Sequence, residues 1–327
     1  MWGGGGGVGH IRIRYWPDIR FEIIVLSLIT HPAYDIPLPE GHRFPATKFS
    51  HLMACLARDE LLTHFNVMQP EPVQARDLAI TQDPAYVAAI ADGTLDREAL
   101  RVLGLQWSDV LAQRSFLAVN GTLLAARQAI QHGLACHAAG GTHHAHYGHG
   151  AGFCVFNDLA YTATRLCDEG QVSSVLILDC DVHQGDGTAR ILATDPRIFT
   201  CSLHCRTNYP ARKAQSDLDV EIEKGTSDDA YLTILTDTLH RLDMLGVRPD
   251  LVLYDAGVDV HVHDKLGYLE LSDAGILARD RQVLRHFRQR GVPVATVIGG
   301  GYGQDIAEVA QRHSLVFRAA IEEAGEG

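Results

Sequence analysis

The sequence predicts a single-domain α/β protein with three layers, in which helices cover both faces of a mostly parallel central sheet. Six apolar segments are typical of strands, and helical segments lie between most of them. Strands that alternate with helices need crossover connections and therefore pair in parallel. The chain has 327 residues, of which 46% are hydrophobic and 21% charged, enough to bury one large core.

The first half of the chain predicts two strands separated by helices. Four prolines between residues 31 and 45 predict an irregular loop after the first strand. The predicted elements are a strand at 21–29, a helix at 48–65, a short apolar element at 77–81, a turn leading into a helix at 83–87, one or two helices at 107–133, and a strand at 134–139.

The second half alternates more regularly. Ser227 and Ser272 each precede a helical segment and suit the N-cap position. Ligands of such sheets bind beyond the carboxyl ends of the strands, so the loops that follow the strands are the candidate site. The predicted strands are 175–181, 198–203, 251–255 and 294–298, and the predicted helices are 155–169, 227–245, 272–290 and 305–323.

Residues 1–20 are expected to form a flexible leader, separate from one catalytic domain at 21–327. Six glycines lie within residues 1–9, and such a segment lacks the apolar area that would stabilise an ordered form. Asp18 and Glu22 interrupt the resemblance of the following stretch to a secretory signal. The chain has no apolar run of the ~20 residues that cross a bilayer.

Charge and cysteine content limit the functional classes. The net charge of -12 argues against a nucleic-acid partner and is compatible with a cationic substrate. Seven scattered cysteines without a Cys-x-x-Cys pair indicate reduced thiols and a cytoplasmic location. We therefore expect neither nucleic acid nor membrane as a partner, and the sequence leaves the oligomeric state open.

The stretch DCDVHQGDG at 179–187 ends a buried strand in ionisable side chains. Because side chains alternate along a strand, Asp179, Asp181 and His183 are predicted to point to one side. An Asp-x-His pair offers carboxylate oxygen and imidazole nitrogen, the ligands expected for zinc. Asp259, after the strand at 251–255, would supply a third ligand and leave a position open for catalysis. Taken singly, the acids could equally be helix caps or salt-bridge partners.

Two other strands also end in glycine-rich loops. Gly140 and Gly141 precede His143 and His144, and only an irregular loop lets two adjacent side chains address one site. The alternative is a pair of surface histidines. The run GGGYG at 299–303 allows close approach of the backbone to a ligand and presents the hydroxyl of Tyr302. A phosphate-binding alternative lacks the Lys-Ser/Thr that would follow the glycines.

Five motifs in this order resemble the zinc-dependent histone deacetylase family of the arginase/deacetylase fold, most closely its class IV branch and bacterial members. The resemblance extends over residues 23–322. The motifs are GGTHHA at 140–145, GFCVFND at 152–158, DCDVHQGDG at 179–187, AGVD at 256–259 and GGGY at 299–302.

The resemblance implies one Zn²⁺ per chain, bound by Asp181, His183 and Asp259. It further implies that His144 is the general base and acid, and that Tyr302 polarises the scissile carbonyl. The other residues implied in catalysis are His143 beside the base, with Asp179 and Asp186 orienting the two histidines. An acyl-lysine tunnel would be formed by Gly152, Phe153, Tyr209, Leu266, Gly300 and Gly301. A K⁺ site would be formed by Asp179, Asp181, His183, Ser202 and Leu203.

The expected substrate is an acyl-lysine protein or peptide, or another acylated amine. Acetylpolyamine hydrolysis is an alternative within the family. A binuclear-manganese ureohydrolase of the same fold would need more carboxylates, and a non-catalytic acyl-lysine binding protein would not need Tyr302. Four further histidines are expected at the surface or the rim of the site rather than as metal ligands: His146, His149, His261 and His263.

Overall fold

A computed structural model describes Met1 and residues 26–325, and shows one eight-stranded sheet in the order β2-β1-β3-β8-β7-β4-β5-β6. Every pair of neighbouring strands is parallel, which confirms the predicted sheet. The predicted leader and the start of the first strand lie outside the described residues. The strands are β1 Leu26–Ile29, β2 Phe65–Met68, β3 Leu134–His137, β4 Val175–Asp179, β5 Ile198–Cys205, β6 Leu218–Ile222, β7 Leu251–Asp255 and β8 Val294–Val297.

Two groups of helices flank the sheet. Helices α1, α9, α8 and α7 pack in succession, and α4, α5 and α6 form the second group. Within residues 26–325, no helix is long and apolar enough to cross a membrane. The helices are α1 Lys48–Arg58, α2 Pro84–Asp92, α3 Arg97–Leu103, α4 Asp109–His132, α5 Asp158–Asp168, α6 Asp186–Leu192, α7 Asp228–Met244, α8 Asp273–Arg288 and α9 Ile306–Gly325.

The two edge strands were not predicted from the sequence. The predicted helix at 48–65 is wrong beyond Arg58, because Glu60 takes a left-handed conformation and the chain enters β2 after a 3₁₀ turn. β6 was missed because its residues Asp219 and Glu221 are acidic, whereas buried strands are mostly apolar. Edge strands face a neighbour on one side only, and charged or short strands are common there.

The central strands place their following loops at one edge of the sheet. β4, β7 and β8 are buried along their whole length, as expected for strands covered on both faces. Asp179 at the end of β4 is the register partner of Asp255, and Asp255 is the partner of Val297. The loops after these three strands therefore begin side by side.

Arg279 of α8 fixes two of these loops. Its side chain is fully buried and forms an ion pair with Asp280, at 2.9 Å. The guanidinium also donates hydrogen bonds to the carbonyl oxygens of Cys180 and Gly257, at 3.2 and 2.6 Å. These carbonyls lie next to the loop residues Asp181 and Val258, so one side chain holds both loops against α8.

We expect Arg279→Met to lower the free energy of unfolding by about 3–5 kcal/mol, because it leaves a buried carboxylate and buried carbonyls without their donor. Urea denaturation followed by circular dichroism measures this change. Arg248→Met is the control, since that side chain is 68% exposed, and we expect a change within about 0.5 kcal/mol. Equal losses of unfolding free energy in the two variants would contradict the role of Arg279 in holding the two loops.

Candidate active site

The loop after β3 carries two buried histidines to one site. Gly140 and Gly141 have φ angles of +81° and +78°, and a Cβ on Gly141 would lie 2.6 Å from Gly299 Cα. Glycine is therefore required for the turn and for the close approach to the loop after β8. The rings of His143 and His144 lie 4.1 Å apart, and both side chains are buried.

The start of α5 holds this histidine loop in place. Asp158 accepts hydrogen bonds from the backbone N–H groups of Gly141 and Thr142, at 3.1 and 2.7 Å. The Asn157 amide donates to the carbonyl of Ala145 at 3.1 Å. These two residues end the motif at 152–158, and no local sequence pattern indicates what they contact. Their contacts explain how two adjacent side chains stay on one site.

Each of the paired histidines has a carboxylate on its Nδ1 atom. His143 Nδ1 lies 2.7 Å from Asp179, and His144 Nδ1 lies 2.8 Å from Asp186. The second oxygen of Asp186 lies 3.2 Å from Nε2 of His146, which stacks on His149. A carboxylate on Nδ1 fixes the tautomer and orientation of an imidazole.

The surroundings of the two histidines drive their pKa values apart. Burial, and next the neighbouring His143, lower the pKa of His144 to about 3. Burial also lowers the pKa of His143, but the charges of Asp179 and Asp181 outweigh it and raise that pKa well above 6.5. At neutral pH, His144 is therefore neutral, and its Nε2 is the nitrogen that can accept a proton, whereas His143 is cationic.

Asp181, His183 and Asp259 form a buried group with the chemistry of a metal centre. Their candidate ligand atoms all lie within 4.8 Å of one another. His183 Nδ1 lies 3.0 Å from Asp181 and 3.1 Å from Asp259. Backbone N–H groups orient the two carboxylates, since Gly300 donates to Asp181 at 2.7 Å and Val182 to Asp259 at 2.9 Å. Two oriented carboxylates and one imidazole fit a zinc ion with an open coordination position.

One further buried acid beside His143, Asp255, was not predicted as a site residue. Among the described residues, neither of its carboxylate oxygens has a hydrogen-bond partner. It lies 3.9 Å from His143 Nδ1, and burial and Asp179 raise its pKa well above 3.8. Together with Asp179 and His143 it forms a group separate from the first. Because Asp255 ends an apolar strand, sequence position alone could not distinguish it from a loop acid.

A cavity of about 340 Å³ leads from the surface to His144 and His183. The rings of Phe153 and Tyr302 lie 5.9 Å apart across it, and Phe153 takes a positive φ of 70° that is uncommon for a residue with a side chain. Of the residues predicted for a tunnel, this cavity is lined by Gly152, Phe153, Tyr209 and Leu266. Gly300 lines a deeper space instead, and Gly301 faces His313 and Val258.

Two buried cations lie behind the histidines and were missed in the sequence. Lys48 and Arg114 line the deeper cavity, of about 30 Å³, together with His143. Lys48 Nζ donates to the carbonyl of Gly299 at 2.8 Å, and burial, with Arg114 next, lowers its pKa to about 8. Lys48 lies on α1 and Arg114 on α4, and the sequence pattern of these helices does not mark either position as buried. A buried cation on such a helix has the same sequence pattern as a solvated one.

The residues predicted for a K⁺ site lie on β4, β5 and the loop after β4. Asp179 and Ser202 are register partners, and the Ser202 hydroxyl lies 3.0 Å from His204 Nδ1. Leu203 follows on β5 and is buried. The site stays a prediction.

If Asp181, His183 and Asp259 hold a zinc ion, we expect Gly300→Ala to weaken its binding at least about tenfold, because disturbing the groups that orient metal ligands has effects of that size. A Cβ at Gly300 would overlap Asp259 and lie 2.5 Å from an oxygen of Asp181. Titration against a competing chelator measures the affinity. Gly148→Ala is the control, since a Cβ there meets nothing within 4 Å. Unchanged zinc affinity in Gly300→Ala would argue against a metal site at Asp181 and Asp259.

A parallel α/β sheet with buried histidines and carboxylates at its carboxyl edge defines a candidate metal-dependent enzyme. Residues 42–318 match the histone deacetylase domain. The chain is 30% identical to histone deacetylase 2 of Arabidopsis thaliana over 297 residues, covering 87% of this chain and 76% of the relative. This chain belongs to the histone deacetylase family.

Two bacterial proteins are also similar. An uncharacterised protein of Picosynechococcus is 48% identical over 294 residues, covering 90% of this chain and 97% of that protein. The acetoin utilization protein AcuC of Staphylococcus aureus is 31% identical over 253 residues, covering 70% of this chain and 64% of AcuC. These matches support a deacetylase activity.

Proposed function

We propose that this protein is a zinc-dependent deacylase that removes acetyl or longer acyl groups from the lysine side-chain amine of a protein or peptide. One observation carries the proposal: three buried side chains that could hold a metal ion lie beside a carboxylate-held histidine pair, beneath a cavity walled by Phe153 and Tyr302. We also propose that residues 21–327 form one catalytic domain.

Asp181, His183 and Asp259 would hold the zinc ion, one per chain. Bound zinc would polarise the amide carbonyl and favour deprotonation of water near neutral pH. Asp181 and Asp259 are already oriented by backbone N–H groups, so the ligands need little rearrangement. K⁺ is a further candidate ion at the predicted site on β4 and β5.

The chain's own residues would move the protons. His144 is neutral and held at Nδ1 by Asp186, so Nε2 can take a proton from the attacking water and return one to the leaving lysine amine. His143 stays cationic beside it and would stabilise developing negative charge. Asp179 keeps His143 in that state.

Tyr302 would donate a hydrogen bond to the carbonyl oxygen as negative charge develops there. Burial, with Asp181 next, raises the pKa of Tyr302 well above 10, so the hydroxyl keeps its proton. We expect Tyr302→Phe to lower kcat by about a hundredfold, the usual effect of losing one such donor. Steady-state kinetics and metal analysis measure the two properties together. Tyr161→Phe is the control, since Tyr161 lies on α5 and lines neither cavity.

A substrate panel tests the proposed function. The purified protein is assayed with acetyl-lysine peptides, longer acyl-lysine peptides and acetylpolyamines, before and after removal of metal by a chelator. We expect hydrolysis of acyl-lysine peptides, its loss on chelation and its recovery with one equivalent of zinc. Two manganese ions per chain would instead support the ureohydrolase alternative. Binding of acyl-lysine without hydrolysis would support a non-catalytic protein.

A further inference from the structure

The mouth of the 340 Å³ cavity is cationic, although the whole chain carries a net charge of -12. Arg43, Arg101 and Lys265 line it, and all three are exposed. They come from three separate segments: the loop before α1, helix α3 and the loop after β7. No carboxylate is among the described residues that line this cavity. The local charge at the entrance is therefore opposite to that of the chain as a whole.

Among the described residues, these cations have no close or buried ion-pair partner. Among residues 26–325, neither Arg43 nor Lys265 has a carboxylate within 4.0 Å, and the Arg43 guanidinium lies 6.0 Å from the centre of the Phe153 ring. Arg101 has Glu98 at 3.9 Å, but the two side chains are 79% and 82% exposed. Ion pairs as exposed as this contribute little, so the positive charge of Arg101 can still attract an anionic ligand.

A groove extends the mouth along the surface. It has a volume of about 680 Å³ and shares Arg43, Lys265 and Leu266 with the mouth. Its apolar wall includes Pro37 and Leu38 from the loop before α1, and Glu40 is the only carboxylate among the described residues that line it. A groove of this size accommodates a segment of polypeptide beside the acylated lysine, which a small amine would not fill.

We propose that the substrate is a protein or peptide in which acidic side chains flank the acylated lysine, with their carboxylates beside Arg43 and Lys265. This inference rests on the proposed function, since it concerns the entrance of the same site. Complementary charge across an interface favours the matching partner and penalises the opposite charge. An acetylpolyamine would place its remaining ammonium groups against three cations, so the entrance disfavours that substrate.

The test compares three acetyl-lysine peptides that differ only in flanking residues: two Glu, two Gln or two Lys. We expect kcat/KM of the zinc-loaded protein to be about tenfold higher for the Glu peptide than for the Lys peptide, with the Gln peptide between them. Raising the salt concentration should reduce this preference, because the charges are exposed. Binding of the same peptides, measured by fluorescence anisotropy, gives a readout that does not depend on turnover.

Variants assign the preference to the mouth. In Arg43→Gln with Lys265→Gln, we expect the ratio of Glu-peptide to Gln-peptide binding to fall toward one. Arg248→Gln should keep the ratio of Glu-peptide to Gln-peptide binding. Arg248 lies just before the amino end of β7, whereas the site lies at the carboxyl ends of the strands.

The outcomes separate this inference from the proposed function. Equal binding of all three peptides, a preference for the Lys peptide, or faster hydrolysis of N-acetylputrescine than of the Gln peptide would overturn the acidic-substrate inference, while deacylation itself stands. Absence of hydrolysis with every acylated amine would overturn the proposed function. The ratio of Glu-peptide to Gln-peptide binding, measured by fluorescence anisotropy, would then still test the preference for acidic flanking residues.

Discussion

His144→Ala should lower kcat for acyl-lysine hydrolysis by about 10²–10⁴-fold, the usual contribution of a positioned general base and acid. The structure gives the reason: His144 is the neutral member of the pair, and Asp186 holds its Nδ1 atom at 2.8 Å. Alanine removes the imidazole that would accept the proton of water and return one to the amine. The measurement is steady-state kinetics on the peptide that the wild-type protein hydrolyses best.

Metal content and a matched variant make this result specific. His144 is not among the three residues that converge as metal ligands, so His144→Ala should still bind one zinc per chain. His132→Ala is the control, because that histidine is exposed at the end of α4. Full activity of His144→Ala, or loss of its zinc, would show that the histidine has another role.

Asp259→Asn should abolish both zinc binding and activity. The amide oxygen is a much weaker ligand than a carboxylate, and only two protein ligands would remain. We expect metal content to fall from about one zinc per chain to near zero, and the zinc-dependent rise in Tm to disappear. Plasma emission spectroscopy and thermal denaturation measure these properties. Asp237→Asn, on the exposed face of α7, should leave both unchanged.

Stability without metal distinguishes a ligand from a structural acid. In the metal-free protein, Asp259 and Asp181 are two buried carboxylates that both approach His183. Asn at 259 removes one of these charges and can still accept the hydrogen bond from the Val182 N–H. We therefore expect the metal-free variant to unfold at the same urea concentration as the metal-free wild type, or higher. A large loss of metal-free stability would indicate a structural role.

The sheet and the position of the site could be predicted because both follow from local patterns. Apolar strands alternated with helices, and the carboxyl ends of parallel strands meet at one edge, so 179–187, 256–259 and 299–302 had to lie together. The convergence of Asp181, His183 and Asp259 agrees with that reasoning. The catalytic roles of these residues stay predictions.

The features that were missed depend on contacts between distant segments. β6 carries two acids on five residues, and no local signal shows that β5 pairs with it. The burial of Lys48 and Arg114 depends on how their helices pack around the histidine loop. The cationic mouth likewise brings together residues from three segments, whereas composition alone gave only the acidic net charge.

The contact between Lys48 and Gly299 also has a consequence for synthesis of the protein. The two residues are 251 positions apart, and the bond joins α1 to the loop that carries Tyr302. Chains emerge from the ribosome with the N-terminal part first, so α1 is made long before its partner exists. The finished active site can form only after β8 and the loop that follows it have been translated. An unfinished chain that stops before this loop therefore lacks both Tyr302 and the Gly299 carbonyl that accepts the hydrogen bond from Lys48.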